Sequence, residues 1–319
     1  MRQLIFGMVA AAGLAFVSAS HAADRLVVGT SNGQIQSGDP MTGGFTFFGI
    51  CGGPVRAMTQ HGNLLFLGAT FGSVYSFTID TQSFQSSFDV GPNMTGLSAE
   101  GGSLYVSFAD GTIKQLDITT GALQSTFLAP GPVNALLVSE GFVFVGGPDG
   151  AIYRASTADH AFNYFTCFCN GPITTIARDR NSIFVGDVNG IVFRFSADEV
   201  GGVTGAAFVQ PGVPVTGLAS FNGLAVVSDL DGNIRRVNLD NGATSGDPMT
   251  GPAGVSAMML VRDGICAADF NRNGAVTGED FDGYVTDFQA GGLACDFDGD
   301  GFVTGDDFDA FLLAFDVGC

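Results

Sequence analysis

The chain has 319 residues with 31 acidic against 12 basic side chains, a net charge of −19, which excludes nucleic acid and anionic membrane surfaces as partners. It holds 48 Gly, 30 Phe and no Trp, a composition that indicates a mainly β body and excludes a helical bundle.

Residues 1–22 read as a signal peptide. Met1-Arg2-Gln3 is a short basic start, Leu4 to Val17 is apolar, and Ser20-His21-Ala22 offers small residues for cleavage. No later apolar run is long enough to cross a bilayer. The expected localisation is therefore secreted, extracellular or cell-surface, where disulfides are permitted.

Residues 23–262 form a repeat. "RLVVGTSNG" from Arg25 has counterparts beginning near Gly62, Gly101, Glu140, Arg180 and Asn222. Each copy carries a turn glycine, at Gly33, Gly72, Gly111, Gly150, Gly190 and Gly232, so the period is nearly constant at about 40 residues. Five of the six follow Asn or Asp, the pairing that supplies the positive φ of a tight hairpin. Each unit adds a third strand, such as "ALQSTFL" from Ala122. A fourth opens the next unit, as in "PVRAM", "PVNALL", "PITTI" and "PVTGL" from Pro54, Pro132, Pro172 and Pro214. Four antiparallel strands in each such period make a propeller blade. "GVSAMMLV" from Gly254 lacks a hairpin of its own and is predicted to complete the first blade, closing a ring of six and leaving no exposed edge. A seventh blade would need a further hairpin after Met258. The arrangement resembles the repeat propellers of the quinoprotein-like and WD-repeat-like superfamily, without their signature tryptophans.

The second residue of each inner strand is Arg56, Thr95, Asn134, Thr174, Thr216 and Ser256. This set reads either as a ring for an anionic or polar ligand, or as the small residues that crowding near an axis requires. The propeller's ligand is otherwise unknown. Catalytic residues are not evident: His61 and His160 sit in loop or edge sequence. Glu100 and Glu140 fall at equivalent turns, where solvated charges are expected, and Glu199 stands alone. "SGDPMTG" occurs at Ser37 and Ser245, and both copies read as hairpin loops.

Residues 263–319 are a separate acidic unit. From Gly264 onward twelve Asp or Glu face Arg272 alone. Asp296, Asp298 and Asp300 hold positions one, three and five of a twelve-residue calcium loop. Gly301 turns the chain at six, Phe302 offers its carbonyl at seven, Thr304 stands at nine and Asp307 at twelve. The template also occurs earlier in the tail, with Asp269, Asn271, Asn273, Gly274, Ala275, Thr277 and Asp280 in the same places. Phe281, Tyr284, Val285 and Phe288 then follow at helical spacing, and so do Phe308, Phe311, Leu312 and Phe315. Two Ca2+ sites are expected, each fixing the start of a helix whose apolar face builds a core too small to stand alone. The second loop offers four carboxylates, the first two carboxylates and two amides, so the second should bind more tightly.

This duplicated loop–helix resembles a type I dockerin domain over about Ala267 to the end of the chain. The resemblance implies calcium-dependent docking onto a cohesin-like or other cell-surface or extracellular protein. Loop positions ten and eleven, Gly278-Glu279 and Gly305-Asp306, depart from the hydroxyl residues through which dockerins often read a partner. The Gly318-Cys319 ending is similar to a bacterial subgroup of dockerin-like anchors, for which a surface-sorting role is implied.

Of six cysteines, Cys266, Cys295 and Cys319 belong to the tail and Cys51, Cys167 and Cys169 to the propeller. A staple between Cys266 and Cys295, a disulfide holding Cys319, or a free Cys319 open to attachment are the alternatives. The sequence thus predicts a secreted, non-catalytic recognition or scaffold propeller on a calcium-binding anchor. The alternative is a secreted propeller enzyme, a polysaccharide hydrolase or lyase or an oxidoreductase, delivered by the same tail.

Overall fold

The computed structural model describes residues 24–167, 171–179, 182–197, 203–208, 213–221, 224–238, 241, 243–261, 268, 270, 276, 278–292, 295, 297 and 302–317. The strands form six four-stranded antiparallel sheets. Five of them use consecutive strands, opening with Val55–His61, Met94–Glu100, Ala135–Ser139, Ile173–Asp179 and Val215–Phe221. The sixth mixes the ends of the propeller. Val255–Val261 pairs with Arg25–Thr30, placing Leu26 opposite Leu260 and Val28 opposite Met258, and Gln34–Asp39 and Gly43–Ile50 complete the sheet. This is the predicted closure. Each inner strand touches the next around a complete ring, with Val255–Val261 against both Val215–Phe221 and Val55–His61.

Burial peaks at the second strand of each blade and falls toward the outer edge. The second strand of each blade lies between two neighbouring sheets, so both its faces are covered. Leu64–Ala69, Ser103–Phe108 and Ser182–Asp187 are buried almost residue by residue, as continuous apolar strands should be. The outermost strands Phe84–Asp89 and Leu123–Leu128 are largely exposed. All six turn glycines have positive φ, from 75° at Gly150 to 96° at Gly72. At Gly33 the turn also presses on the chain: a β-carbon there would stand 2.6 Å from the Cys51 carbonyl oxygen. Gly186 serves the blade stack instead, since a β-carbon would meet Val215 Cγ1 of the next blade at 2.6 Å.

Of the two turn readings one holds and one changes. The first "SGDPMTG" is a hairpin loop, with Asp39 Oδ1 accepting from the amides of Met41 at 2.8 Å and Thr42 at 2.7 Å. These bonds outweigh partial burial and hold the Asp39 carboxyl below its ordinary value. The second copy is not a hairpin loop: its Met249–Thr250 is the short outer strand of the last blade. The same sequence takes two roles because strand pairing, not local sequence, decides its course.

The tail contributes α1 (Gly278–Ala290) and α2 (Gly305–Val317). Their shared core pairs equivalent positions of the two copies: Ala268 with Cys295, Phe270 with Phe297, Val276 with Val303, Phe281 with Phe308, Tyr284 with Phe311 and Phe288 with Phe315. The helical stripe of the sequence is present, but Val285 and Leu312 are half-buried and outside this cluster. The second and eighth loop residues take their place. Among the described residues no helix is long and apolar enough to cross a membrane.

Candidate functional site

Two places gather chemistry: the central channel and the start of each tail helix.

Arg56, Thr95, Asn134, Thr174, Thr216 and Ser256 all line one central cavity of about 280 Å3. The sheet register explains their position. Val55 pairs with Ala69 and Ala57 with Gly68, so Arg56 is left over as a bulge. Thr95, Thr174, Thr216 and Ser256 are skipped in the same way in their own strands. A bulge bends its strand and re-aims a side chain, and here it does so at one level of the ring. Two positions further along lie Met58, Leu97, Leu136, Ile176, Leu218 and Met258, an apolar layer of the same cavity. Each inner strand is also a sheet edge, paired on one side only, so its outer backbone groups border the channel.

The hydroxyls of the ring are held. Thr95 Oγ1 lies 3.1 Å from Ser107 Oγ, and Thr216 Oγ1 lies 3.1 Å from Ser228 Oγ in the opposite blade. Thr174 Oγ1 donates to the Gly186 carbonyl at 3.0 Å and Ser256 Oγ to the Val55 carbonyl at 2.6 Å. Arg56 is exposed and has no hydrogen bond or ion pair among the described residues.

Toward the other end of the inner strands, Glu100, Glu140 and Arg178 link three blades. Arg178 pairs with Glu140, and both Glu100 oxygens accept from the Gly141 amide at 3.3 Å. Glu100 is therefore not the solvated turn charge expected from its position. Burial pushes its carboxyl above the ordinary value, against the lowering effect of the Gly141 amide. The sequence signal was present in the equivalent turns of neighbouring blades, but the arginine lay one blade further on. His61 is exposed at its turn, and His160 stacks on Phe127 with ring centroids 3.9 Å apart. Glu199 lies outside the described residues.

In the tail, Asp280 and Asp307 are wholly buried in the first turns of α1 and α2. Asp307 Oδ1 accepts from the Phe297 amide at 2.7 Å and its Oδ2 from the Thr304 amide at 2.7 Å. It thereby ties the second position of the loop to the ninth. Thr304 Oγ1 in turn accepts from the Asp306 amide at 3.2 Å, completing a reciprocal cap on the helix start. Phe302 and Thr304 are exposed. Asp269, Asn271, Asn273, Ala275, Thr277, Asp296, Asp298 and Asp300 lie outside the described residues. Among the described residues no three His, Cys, Asp or Glu side chains form a metal-sized cluster. The residues that bear on an ion here are the two helix-start carboxylates. Both are buried, and they occupy the twelfth position of each loop, where a hard cation bound in the loop requires a carboxylate.

The Cys266–Cys295 staple is not formed, because Cys295 is a buried free thiol. Its Sγ lies 3.5 Å from the Tyr284 carbonyl and 3.7 Å from Asp287 Oδ2. Burial and then the Asp287 carboxylate push this thiol up to about 12. Cys51 is also free and buried, its Sγ 3.2 Å from the Gly53 carbonyl. Cys167 ends a strand, and Cys169, Cys266 and Cys319 lie outside the described residues.

No protein-family model and no curated protein matches the chain. Solved structures do. A chain of a nidogen–laminin complex matches with a TM-score of 0.64 at 9% identity, over 75% of this chain and 98% of that one. The WD40 repeats of RRP9 match with a TM-score of 0.56 at 13% identity, over 75% and 84%. The computationally designed Ika8 protein matches with a TM-score of 0.51 at 19% identity, over 72% and 73%. At these identities the likeness is one of fold. The chain carries a six-bladed β-propeller.

Proposed function

We propose that this is an exported, non-catalytic binding protein in which the propeller is the recognition or scaffold unit and the tail a calcium-dependent anchor. The observation that carries the reading is the equivalence of Asp280 and Asp307, two buried carboxylates at matching helix starts over one aromatic core. The Phe297 and Thr304 amides already meet the Asp307 carboxylate, so what supports an ion is the place of both aspartates at the twelfth position of a calcium-type loop. In the second loop Asp296, Asp298, Asp300 and Asp307 would hold the ion with the Phe302 carbonyl and, through water, Thr304. In the first, Asp269, Asn271, Asn273, the Ala275 carbonyl, Thr277 and Asp280 would do the same. The ion neutralises the loop and orders the helix behind it. The dockerin-like pattern makes a cohesin-like or other extracellular protein the proposed partner. The signal peptide supports secretion.

Calorimetric titration of the full chain with Ca2+ tests this, using D307N and D280N to separate the loops. Two sites with the Asp307 loop tighter are expected, each abolished by its own substitution. A chain that takes up no Ca2+, or loses none on either substitution, removes the reading.

A further inference from the structure

We infer that the channel end ringed by Arg56, Thr95, Asn134, Thr174, Thr216 and Ser256 is a binding site for one small hydroxylated carboxylate, of the chemistry of a sugar acid. The inference concerns the propeller alone and does not depend on calcium.

Charge comes first. The protein is strongly acidic, with a net charge of −19, yet among the described residues its central cavity is lined by two arginines and no carboxylate. Arg178 is engaged by Glu140. Arg56 is left exposed at the ring, on a strand bulge, with no partner among the described residues. Most other basic side chains of the propeller bind structure. Arg25 donates to the Ile79 carbonyl, Lys114 to that of Val90 and Arg154 to that of Ala197, each tying adjacent blades, while Arg235 pairs with Asp229. A single guanidinium in a recess bordered by low-dielectric walls draws an anion, and its planar fork fits a carboxylate with two parallel bonds.

The hydroxyl ring then separates anions from one another. Thr174 and Ser256 have already given their protons to backbone carbonyls, so toward a ligand they only accept. Thr95 and Thr216 each share a proton with a serine, and Asn134 can both donate and accept. Acceptors need donors opposite them. A fully ionised sulfate brings none, whereas a hydroxylated carbon frame brings several. Size sets the last bound. At about 280 Å3 the whole cavity lies just under the roughly 300–1,000 Å3 of small-ligand pockets, enough for one sugar-sized molecule. The apolar layer from Met58 to Met258 meets the carbon face of such a ligand.

The test is calorimetric titration of the full-length protein with D-glucuronate, D-glucose and sulfate, in calcium and again in EDTA. Glucuronate should bind in both buffers, with glucose and sulfate each weaker by on the order of tenfold, the loss expected when a charged hydrogen-bond partner or its complement is missing. R56A should weaken glucuronate by a similar factor without moving the thermal midpoint, because Arg56 has no partner among the described residues, and S256A should weaken glucuronate but not sulfate. Absence of glucuronate binding, equal binding of sulfate, or indifference to R56A each overturns the assignment.

Discussion

Tyr284 and Phe311 lie face to face, their ring centroids 3.8 Å apart and their planes parallel. Each stands one helical turn after the buried aspartate that opens its helix, so the stack lies at the middle of the tail's duplication. Around it Phe270, Phe281, Phe297 and Phe315 extend the aromatic part of the core. The Tyr284 hydroxyl donates to the Cys295 carbonyl at 3.2 Å, and burial pushes it up to about 12. Removing one ring from so small a core cannot be absorbed by relaxation. Phe311→Ala should cost about 3–5 kcal/mol, enough to melt the tail while the propeller's transition stays in place. Far- and near-UV circular dichroism against temperature would show the early loss of helix.

Cys295 reports on the same core. Its thiol is buried and pushed up to about 12, so it should resist alkylation in calcium at neutral pH. Stripping the ion should open the loops and expose it. Cys51, buried between propeller turns, should stay protected in both conditions. Iodoacetamide labelling mapped by mass spectrometry distinguishes the two sites. Equal protection of Cys295 with and without EDTA would show that the tail folds without metal.

Much of this molecule is legible in the sequence because its repeats are. Gly33, Gly72, Gly111, Gly150, Gly190 and Gly232 mark turns whose geometry only glycine readily accepts, and that spacing gives the blade count and the closure by Val255–Val261. The ring from Arg56 to Ser256 can be aligned from sequence, but its meaning depends on bulges, which are a property of paired strands and not of one strand. Glu100 shows the same limit. Its neighbours Gly141 and Arg178 come from the next blade and the one after it, and no local pattern announces them. In the tail the helical stripe was legible, whereas Phe270, Phe297, Val276 and Val303 belong to loops, where periodicity is silent.

Glu100 predicts a pH-dependent stability. Burial raises its folded pKa above the ordinary 4.5. Between those two values the folded chain holds a proton that the unfolded chain has released, so stability falls as pH rises through that window. Above the window the penalty is constant; below 4.5 it is absent. Glu100→Gln keeps an acceptor for the Gly141 amide and removes the charge. It should therefore raise the thermal midpoint at pH 7, with the gain shrinking toward pH 4. A midpoint lowered at pH 7 would show that attraction to Arg178 outweighs desolvation.

Gly186 tests how closely the blades are packed. It sits on the second strand of its sheet, where an added β-carbon would meet Val215 Cγ1 at 2.6 Å, Val215 Cβ at 2.9 Å and Thr175 Cγ2 at 2.9 Å. Its backbone is ordinary strand, so alanine brings no conformational strain and acts through volume alone. Val215 is held in turn, buried in a cluster with Phe184, Val192 and Leu218, and has nowhere to retreat. Gly186→Ala should cost about 1–3 kcal/mol of propeller stability through overpacking. Gly186→Ala with Val215→Ala should recover part of that loss, since the second change removes the methyls that the first one strikes. Chemical denaturation of the two variants and the parent checks both steps. If the double variant is no more stable than Gly186→Ala alone, the contact between these blades is not the cause.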